Sequence, residues 1–294
     1  MKFGNRVKTQ IADRQSPRCL THKKTLVLAW LLALTATLHP LAAQAAFDHG
    51  HEAWTALLHK HVVLTAGGNA SQVKYAAFQQ ERPALRSYLD ELSAVSRTEF
   101  DTWHRPQKMA FLINAYNAYT VELILTKYPD LQSIKELGSL LTSPWKKKFF
   151  QLLGQPTSLD NIEQDMLRQR GSYDNPLIHF AVNCASIGCP MLREEAYVAA
   201  RIDAQLDQQA ERFMSDRSRN RYDVATRRLE LSKIFDWYGD DFRLGHKGIH
   251  TVEEFLARYA VRLADNAQHQ ALIQSRKARI TFLYYDWKLN DASR

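Results

Sequence analysis

The sequence predicts a helix-dominated α+β domain with a small antiparallel sheet. Three observations carry that expectation. Residues 106–127 are apolar around almost the whole helical circumference, the pattern of a central, buried helix. Residues 201–214 carry Ile202, Leu206, Ala210 and Phe213 as one stripe at helical spacing. Residues 222–225 and 228–232 alternate about a short polar turn, and 279–285 add a run rich in aromatic and branched side chains. The chain has 294 residues, 45% of them hydrophobic and 24% charged, which excludes wholesale disorder, collagen and coiled-coil arrays. No repeat or long linker divides it, so one globular domain over residues 46–294 is expected.

Residues 1–45 read as an export signal. Arg18, Lys23 and Lys24 form a basic region, an apolar run follows over residues 25–38, and Pro40 ends it. Ala43, Gln44 and Ala45 make a small-x-small site, so cleavage is expected after Ala45. The alternative is an uncleaved anchor, since residues 25–43 are long enough to span a bilayer. The 24 residues before the apolar run are long for a signal, and the true start codon is left open. The leader also accounts for most of the net charge of +8: it holds Lys2, Arg6, Lys8, Arg14, Arg18, Lys23 and Lys24 against Asp13, so removing it lowers the charge by six, to +2. No nucleic-acid footprint survives that correction, and no membrane contact is expected after cleavage. The lysines of Trp145-Lys146-Lys147-Lys148-Phe149 read as a solvated turn between elements.

The elements follow in order. Residues 47–66 read as a first helix, with Trp54, Leu57, Leu58 and Val62 near helical spacing and Ala66-Gly67-Gly68-Asn69 as its stop. A second helical region spans 71–95, broken at Pro83. The buried helix at 106–127 starts with Pro106 in its first turn and ends before Pro129. Asn114 and Asn117 sit on it three residues apart; a buried amide without partners costs about 1–3 kcal/mol, so both must bond inside the fold. Short helical pieces and loops fill 130–150. Ser158 or Asp160 caps a helix that runs to about Arg170, where Gly171 stops it. Asn175-Pro176 opens a further element, and residues 178–184 read as its helix. The hairpin is followed by a helix over 235–242, by a helix over 252–264 capped by Thr251, by another over 265–275, and by the closing strand.

The densest candidate for chemistry is Ile178-His179-Phe180-Ala181-Val182-Asn183-Cys184-Ala185-Ser186-Ile187-Gly188-Cys189-Pro190. On a helix His179 and Asn183 are i,i+4 neighbours. Cys189, before Pro190, is placed to begin a short helix, whose N-terminus would favour a thiolate. Cys184 or Cys189 as nucleophile would need a base and an oxyanion donor. His179 is the candidate base, with Asn114, Asn117 or Asn183 to orient it or to donate. The competing reading is a Cys184–Cys189 disulfide, since Cys19 leaves with the leader and only this pair remains in an oxidising compartment. A metal site from His179, Cys184 and Cys189 is a third reading, but the spacing matches no zinc pattern, and neither a metal nor a cofactor is expected.

Glu163 is a candidate acid-base residue, set against capping or pairing with Arg168. Asp236, Asp240 and Asp241 read as the exposed face of an amphipathic helix. Asp286 reads first as a buried hydrogen-bond anchor and second as the carboxylate of a Cys-His-Asp set.

At these residues the chain resembles the bacterial and plant family known as domain of unknown function 547. The stretches that carry the resemblance are residues 110–118, 158–168, 179–192, 234–238 with Asp241 and Phe242, and 285–290, in the family's order, so it covers about residues 103–290. Gln164 stands where the resemblance leads one to expect His after Ile-Glu. The resemblance implies the domain and no reaction; a relation to papain-like thiol enzymes would rest on fold-level analogy alone. Two functions stay open. One is a thiol-dependent hydrolase or acyl transferase using Cys184 or Cys189 with His179. The other is a non-catalytic periplasmic binding or assembly module with the two cysteines bonded, its partner a small molecule, a peptide or an envelope component.

Overall fold

The computed structural model describes residues 46–139 and 142–293; the expected leader, with its expected cleavage site and Cys19, lies outside them. At its centre is the helix Arg105–Leu125, which is buried along its length from Met109 to Leu125 except at Glu122. That one break in the apolar surface is neutralised: Arg82 donates to the Glu122 carboxylate at 2.7 Å. At the helix start the Gln107 side chain accepts from the His104 backbone N–H at 2.9 Å, with Pro106 in the first turn.

The N-terminal third departs from the sequence reading. Helix α1, Glu52–His61, stops short of residue 66, and strand β1, Val62–Thr65, takes over. It pairs antiparallel with β2, Ala70–Val73, in the register Val62↔Val73 to Thr65↔Ala70. The branched pair Val62-Val63 favours extended backbone, and Gly67 and Gly68, at φ 63° and 91°, let the chain reverse. Helical periodicity alone did not separate that hairpin from its flanks. Beyond it, α2 is Tyr75–Gln80 and α3 is Arg82–Ala94, with the expected break at Pro83, which sits in the first turn of α3. A short α4, Arg97–Thr102, is capped by Ser96, whose hydroxyl accepts from the Glu99 N–H at 3.0 Å. The central helix is therefore α5.

After α5 come 3₁₀ turns at Ile134–Leu137 and Pro144–Lys146 and an unforeseen hairpin of β3, Phe150–Leu152, and β4, Gln155–Thr157. The helix expected from Ser158 forms, and Ser158 caps it by accepting from the Asn161 N–H at 3.1 Å. Over Asn161–Leu167 it is π-helical, closed by Arg168 N–H donating to Glu163 C=O at 2.9 Å. The helix expected at 178–184 is corrected: a 3₁₀ turn runs Pro176–Phe180, and the chain is irregular from Val182 to Pro190. His179 and Asn183 are thus not helical neighbours, and no helix begins at Cys189.

Helix α6, Ile202–Ser215, presents its expected stripe to the core. Strands β5, Arg221–Asp223, and β6, Arg228–Leu231, form the expected hairpin. The helix expected over 235–242 is split into α7, Ile234–Trp237, and a 3₁₀ turn, Gly239–Arg243. That over 252–264 is split at Tyr259 into α8, Val252–Arg258, and α9, Ala260–Leu263; α10, Ala267–Gln274, follows. Thr251 caps α8, accepting from Glu254 N–H at 3.1 Å. Strand β7, Arg279–Phe282, pairs with β6 in parallel, so this sheet is mixed whereas the other two are antiparallel. No helix among the described residues is long and apolar enough to cross a membrane.

The segment after β7 ties distant parts together. Asn290 N–H donates to Ala185 C=O at 3.1 Å, Leu289 N–H to Gln132 C=O at 2.8 Å, and Ala292 N–H to Val73 C=O at 3.0 Å. Tyr75, at the start of α2, adds a hydroxyl bond to the Asn290 side chain at 2.8 Å.

Candidate functional site

Two asparagines on α5 shape the region around the cysteines. Asn114 donates to Tyr197 C=O at 2.7 Å and accepts from Tyr197 N–H at 3.0 Å. One turn on, Asn117 donates to Ala181 C=O at 3.0 Å and accepts from Asn183 N–H at 2.8 Å. Irregular backbone running through a core needs partners of this kind, because each stranded amide group is costly. The asparagines therefore position loops, and neither amide hydrogen-bonds to His179. Asn183 continues the scaffold, donating to Pro190 C=O at 2.7 Å and accepting from Ala185 N–H at 2.9 Å.

The loop so held carries Cys184 and Cys189, whose sulfurs lie at disulfide distance with Cα atoms 6.1 Å apart. Cys189 is buried and Cys184 half-buried. Cys184 N–H donates to Cys189 Sγ at 2.8 Å. The Tyr285 hydroxyl lies 3.1 Å from Cys184 Sγ and that of Ser186 lies 3.2 Å from it.

Both sulfurs line a cavity of about 280 Å³, together with His179, Glu163, Asp160, Gln164, Tyr116 and Tyr238. Trp145, Trp237, Tyr285 and Trp287 form its aromatic wall. Trp287 lies 4.5 Å from Tyr285, 5.7 Å from Trp145 and 5.8 Å from Trp237 between ring centroids. Four of the six candidate residues thus converge on one cavity, while Asn114 and Asn117 stay behind it as supports. The lysines beside Trp145 are exposed, and only the indole of that cluster reaches the cavity.

The buried polar side of the cavity was mostly not anticipated. His179 Nε2 lies 2.7 Å from Asp241 Oδ2, and its ring stacks on Tyr238 at 4.0 Å. Arg168 grips the same carboxylate, with Nε 2.6 Å from Oδ2 and Nη2 3.0 Å from Oδ1, and donates through Nη1 to Gln164. Burial acts to raise the Asp241 pKa, but the His179 and Arg168 hydrogen bonds outweigh it and hold the carboxyl well below the usual range. Asp241 therefore leaves the exposed acidic face expected for it. Asp236 and Asp240 remain outside, paired with Lys233 at 2.7 Å and Arg243 at 3.5 Å.

Glu163 neither caps its helix nor pairs with Arg168. It accepts from the hydroxyls of Tyr116 and Tyr238, and burial, reinforced by that carboxylate, pushes both phenols far up, so they stay protonated. Asp286 is no partner of His179; its carboxylate accepts from Lys288 N–H at 2.9 Å. Among the described residues no group of three or more His, Cys, Asp or Glu side chains is arranged to hold a metal ion. The tyrosines and tryptophans were legible only as apolar residues. The pairing of Asp241 with Arg168 carried no local signal in sequence, because 73 positions separate them.

Chemically, the cavity offers aromatic faces, carboxylate acceptors, an imidazole oriented by a carboxylate, and a sulfur pair. No curated protein and no solved structure matches the chain at a significant level. One family model does, over residues 100–214, and its description is "Protein of unknown function, DUF547". The stretches at 110–118, 158–168 and 179–192 fall inside that match, and those at 234–242 and 285–290 lie beyond it. Residues 100–214 match the DUF547 family model, and the matched segment contains α5, Glu163, Arg168, His179 and both cysteines.

Proposed function

We propose that this protein is an exported binding module that takes a small molecule, or one end of a peptide, into the aromatic-walled cavity. The observation that carries this reading is the resting state of the sulfurs: at disulfide distance from each other, neither is available as a nucleophile. The wall of Trp145, Trp237, Tyr285 and Trp287 suits the apolar part of a ligand. The carboxylates of Asp160 and Glu163 suit a hydrogen-bond donor on it, such as an amine or hydroxyl. Export rests on the leader, with its basic region, apolar run and Ala-x-Ala site.

The test is a melting-temperature screen of the unreduced protein against amines, amino acids, disaccharides and short envelope peptides. A ligand that raises the midpoint for wild type and not for Trp287→Ala supports the reading. A panel without any shift, or a shift that survives Trp287→Ala together with Trp237→Ala, refutes it. Intact mass from a periplasmic extract tests the leader: a chain beginning near Ala46 is expected, and a full-length mass would overturn export by cleavage.

The second reading, a thiol-dependent hydrolase or acyl transferase, is favoured by one observation: His179, oriented by Asp241, shares the cavity with both cysteines. It requires free thiols in the freshly isolated, unfolded protein. Finding two reactive cysteines after leader removal would revive it, and finding none would leave the binding module in front.

A further inference from the structure

We propose that the Cys184–Cys189 pair is redox-active and exchanges disulfides with neutral or cationic low-molecular-weight thiols that enter the cavity. This goes beyond the binding reading and rests on it only in that the same cavity admits the thiol.

A purely structural role for the bond explains little. It joins residues only five apart, and the stabilisation a crosslink gives shrinks as the loop it closes gets shorter. The loop is moreover pinned without it. Ile187 N–H donates to Lys288 C=O and Gly188 N–H to Asp286 C=O, both at 2.8 Å; Cys189 N–H donates to Ser186 C=O at 3.1 Å. The Arg219 guanidinium also donates to Ile187 C=O. Opening the bond leaves the backbone held and the sulfurs facing each other, as a reversible dithiol requires.

Each sulfur also has a donor to receive negative charge, which a buried inert bridge does not need. For Cys189 Sγ it is Cys184 N–H, at 2.8 Å. For Cys184 Sγ it is the Tyr285 hydroxyl, at 3.1 Å. The Ser186 hydroxyl donates to the Tyr285 oxygen at 3.3 Å and so turns the Tyr285 proton toward the sulfur. Cys184 is the more exposed of the two and the one a substrate reaches.

The exchange balances as follows. A substrate thiolate attacks Cys184 Sγ and forms a mixed disulfide. The Cys184–Cys189 bond breaks, and its electron pair leaves on Cys189 Sγ beside Cys184 N–H. A second substrate thiolate attacks the substrate sulfur of that mixed disulfide, forms the substrate disulfide, and leaves its pair on Cys184 Sγ beside Tyr285. Two electrons and two protons pass from two substrate thiols to the protein, which becomes the dithiol; a small disulfide of the same class reverses every step.

The cavity also sets the class of thiol. Its described lining holds Asp160 and Glu163 and neither Lys nor Arg. The Asp160 side chain is half-buried and makes no hydrogen bond or ion pair among the described residues. Such a wall repels a thiol bearing carboxylates and favours an amine.

The experiment incubates the folded, unreduced full chain with cysteamine or with reduced glutathione at equal thiolate concentration, alkylates at intervals, and maps masses. Expected are alkylation of both Cys184 and Cys189 while the protein stays folded, and a rate roughly tenfold higher with cysteamine. Cys189→Ser should trap cysteamine on Cys184 when treated with cystamine, and Tyr285→Phe should slow the wild-type reaction. A bond that opens only on unfolding, or equal rates with the two thiols, overturns the proposal. Should Cys189→Ser fail to fold, the wild-type rates decide it alone. Ligand shifts by non-thiol amines are unaffected by this outcome, so failure here and failure of the binding reading are told apart.

Discussion

Asp241 Oδ2 lies 2.7 Å from His179 Nε2, across 62 residues of sequence, and the same oxygen takes the Arg168 Nε at 2.6 Å. One carboxylate thus fixes an imidazole that lines the cavity and a guanidinium that lies behind its wall. Replacing it by an amide leaves Arg168 without its counter-charge. Asp241→Asn is expected to lose about 2 kcal/mol at pH 7, at the low side of a buried ion pair because both partners are partly exposed. The pH dependence follows from the depressed carboxyl. Its contribution is complete above the unfolded value of about 3.9 and is lost as the pH falls below it. Urea melts from pH 2 to 7 should show the onset of that loss in wild type and a flatter profile in Asp241→Asn; equal stability of the two proteins at pH 7 would remove the pair from the account.

Asn114→Leu removes both bonds to Tyr197 and strands a buried N–H and C=O. A loss of about 1–3 kcal/mol for each stranded group is expected in chemical denaturation. Asn114→Asp retains the acceptor for Tyr197 N–H and sets a carboxylate against the carbonyl, so it should not rescue. A melt of Asn114→Leu that coincides with wild type would show that the loop at Tyr197 does not depend on this amide.

Gly188 is required by contact and not by backbone angle. A Cβ there would lie 3.0 Å from Asp286 N and 3.0 Å from the Tyr285 ring. Gly188→Val should therefore lever the sulfur loop away from Tyr285, with a cost of about 1–3 kcal/mol. Hydrogen exchange is the direct measure: the amides of Ile187 and Gly188 should lose protection, and retained protection would show that the loop tolerates the side chain.

His51 supplies an acid response of its own. Burial lowers its pKa to about 4, against a smaller upward pull from Asp48, and its Nδ1 lies 2.7 Å from the Tyr88 hydroxyl. The unfolded chain takes up a proton near pH 6.5 that the folded one refuses, so stability should fall from about pH 6.5 down to about pH 4 and then level off at this group. His51→Gln should flatten that interval of the stability profile while leaving the response below pH 4, and an unchanged slope would assign the effect elsewhere.

What was legible in the sequence was what repeats locally. The all-round apolarity of α5, the stripe of α6, the Pro83 break and the caps at Ser158, Asn175 and Thr251 are short-range signals, and each forms. The β1–β2 hairpin was hidden because Val62 continues the stripe of α1 even as its branching favours a strand. The helix over 178–184 ends early because, although Val182 N–H still reaches Ile178 C=O at 3.1 Å, Ala181 C=O and Asn183 N–H bond to Asn117 and not to a following or preceding turn. In the site, His179, Glu163 and the cysteines were identifiable by residue type. Arg168, Asp241 and the tyrosines were not, since their chemistry arises from partners that only tertiary packing supplies.

The docking of Tyr285 onto the sulfur loop has a consequence for how the protein is made. Tyr285 follows Cys184 by 101 residues, whereas Cys189 follows it by five. A chain delivered from its N-terminus presents the two cysteines to an oxidant long before the aromatic wall can reach them. Under the proposed cleavage the leader takes Cys19 with it and one intramolecular pairing remains, so oxidation during delivery would have no wrong partner to choose. The bridge is thus a matter of local encounter and the cavity a matter of late assembly, and the two should mature as separate events, the first within a nascent chain and the second after release.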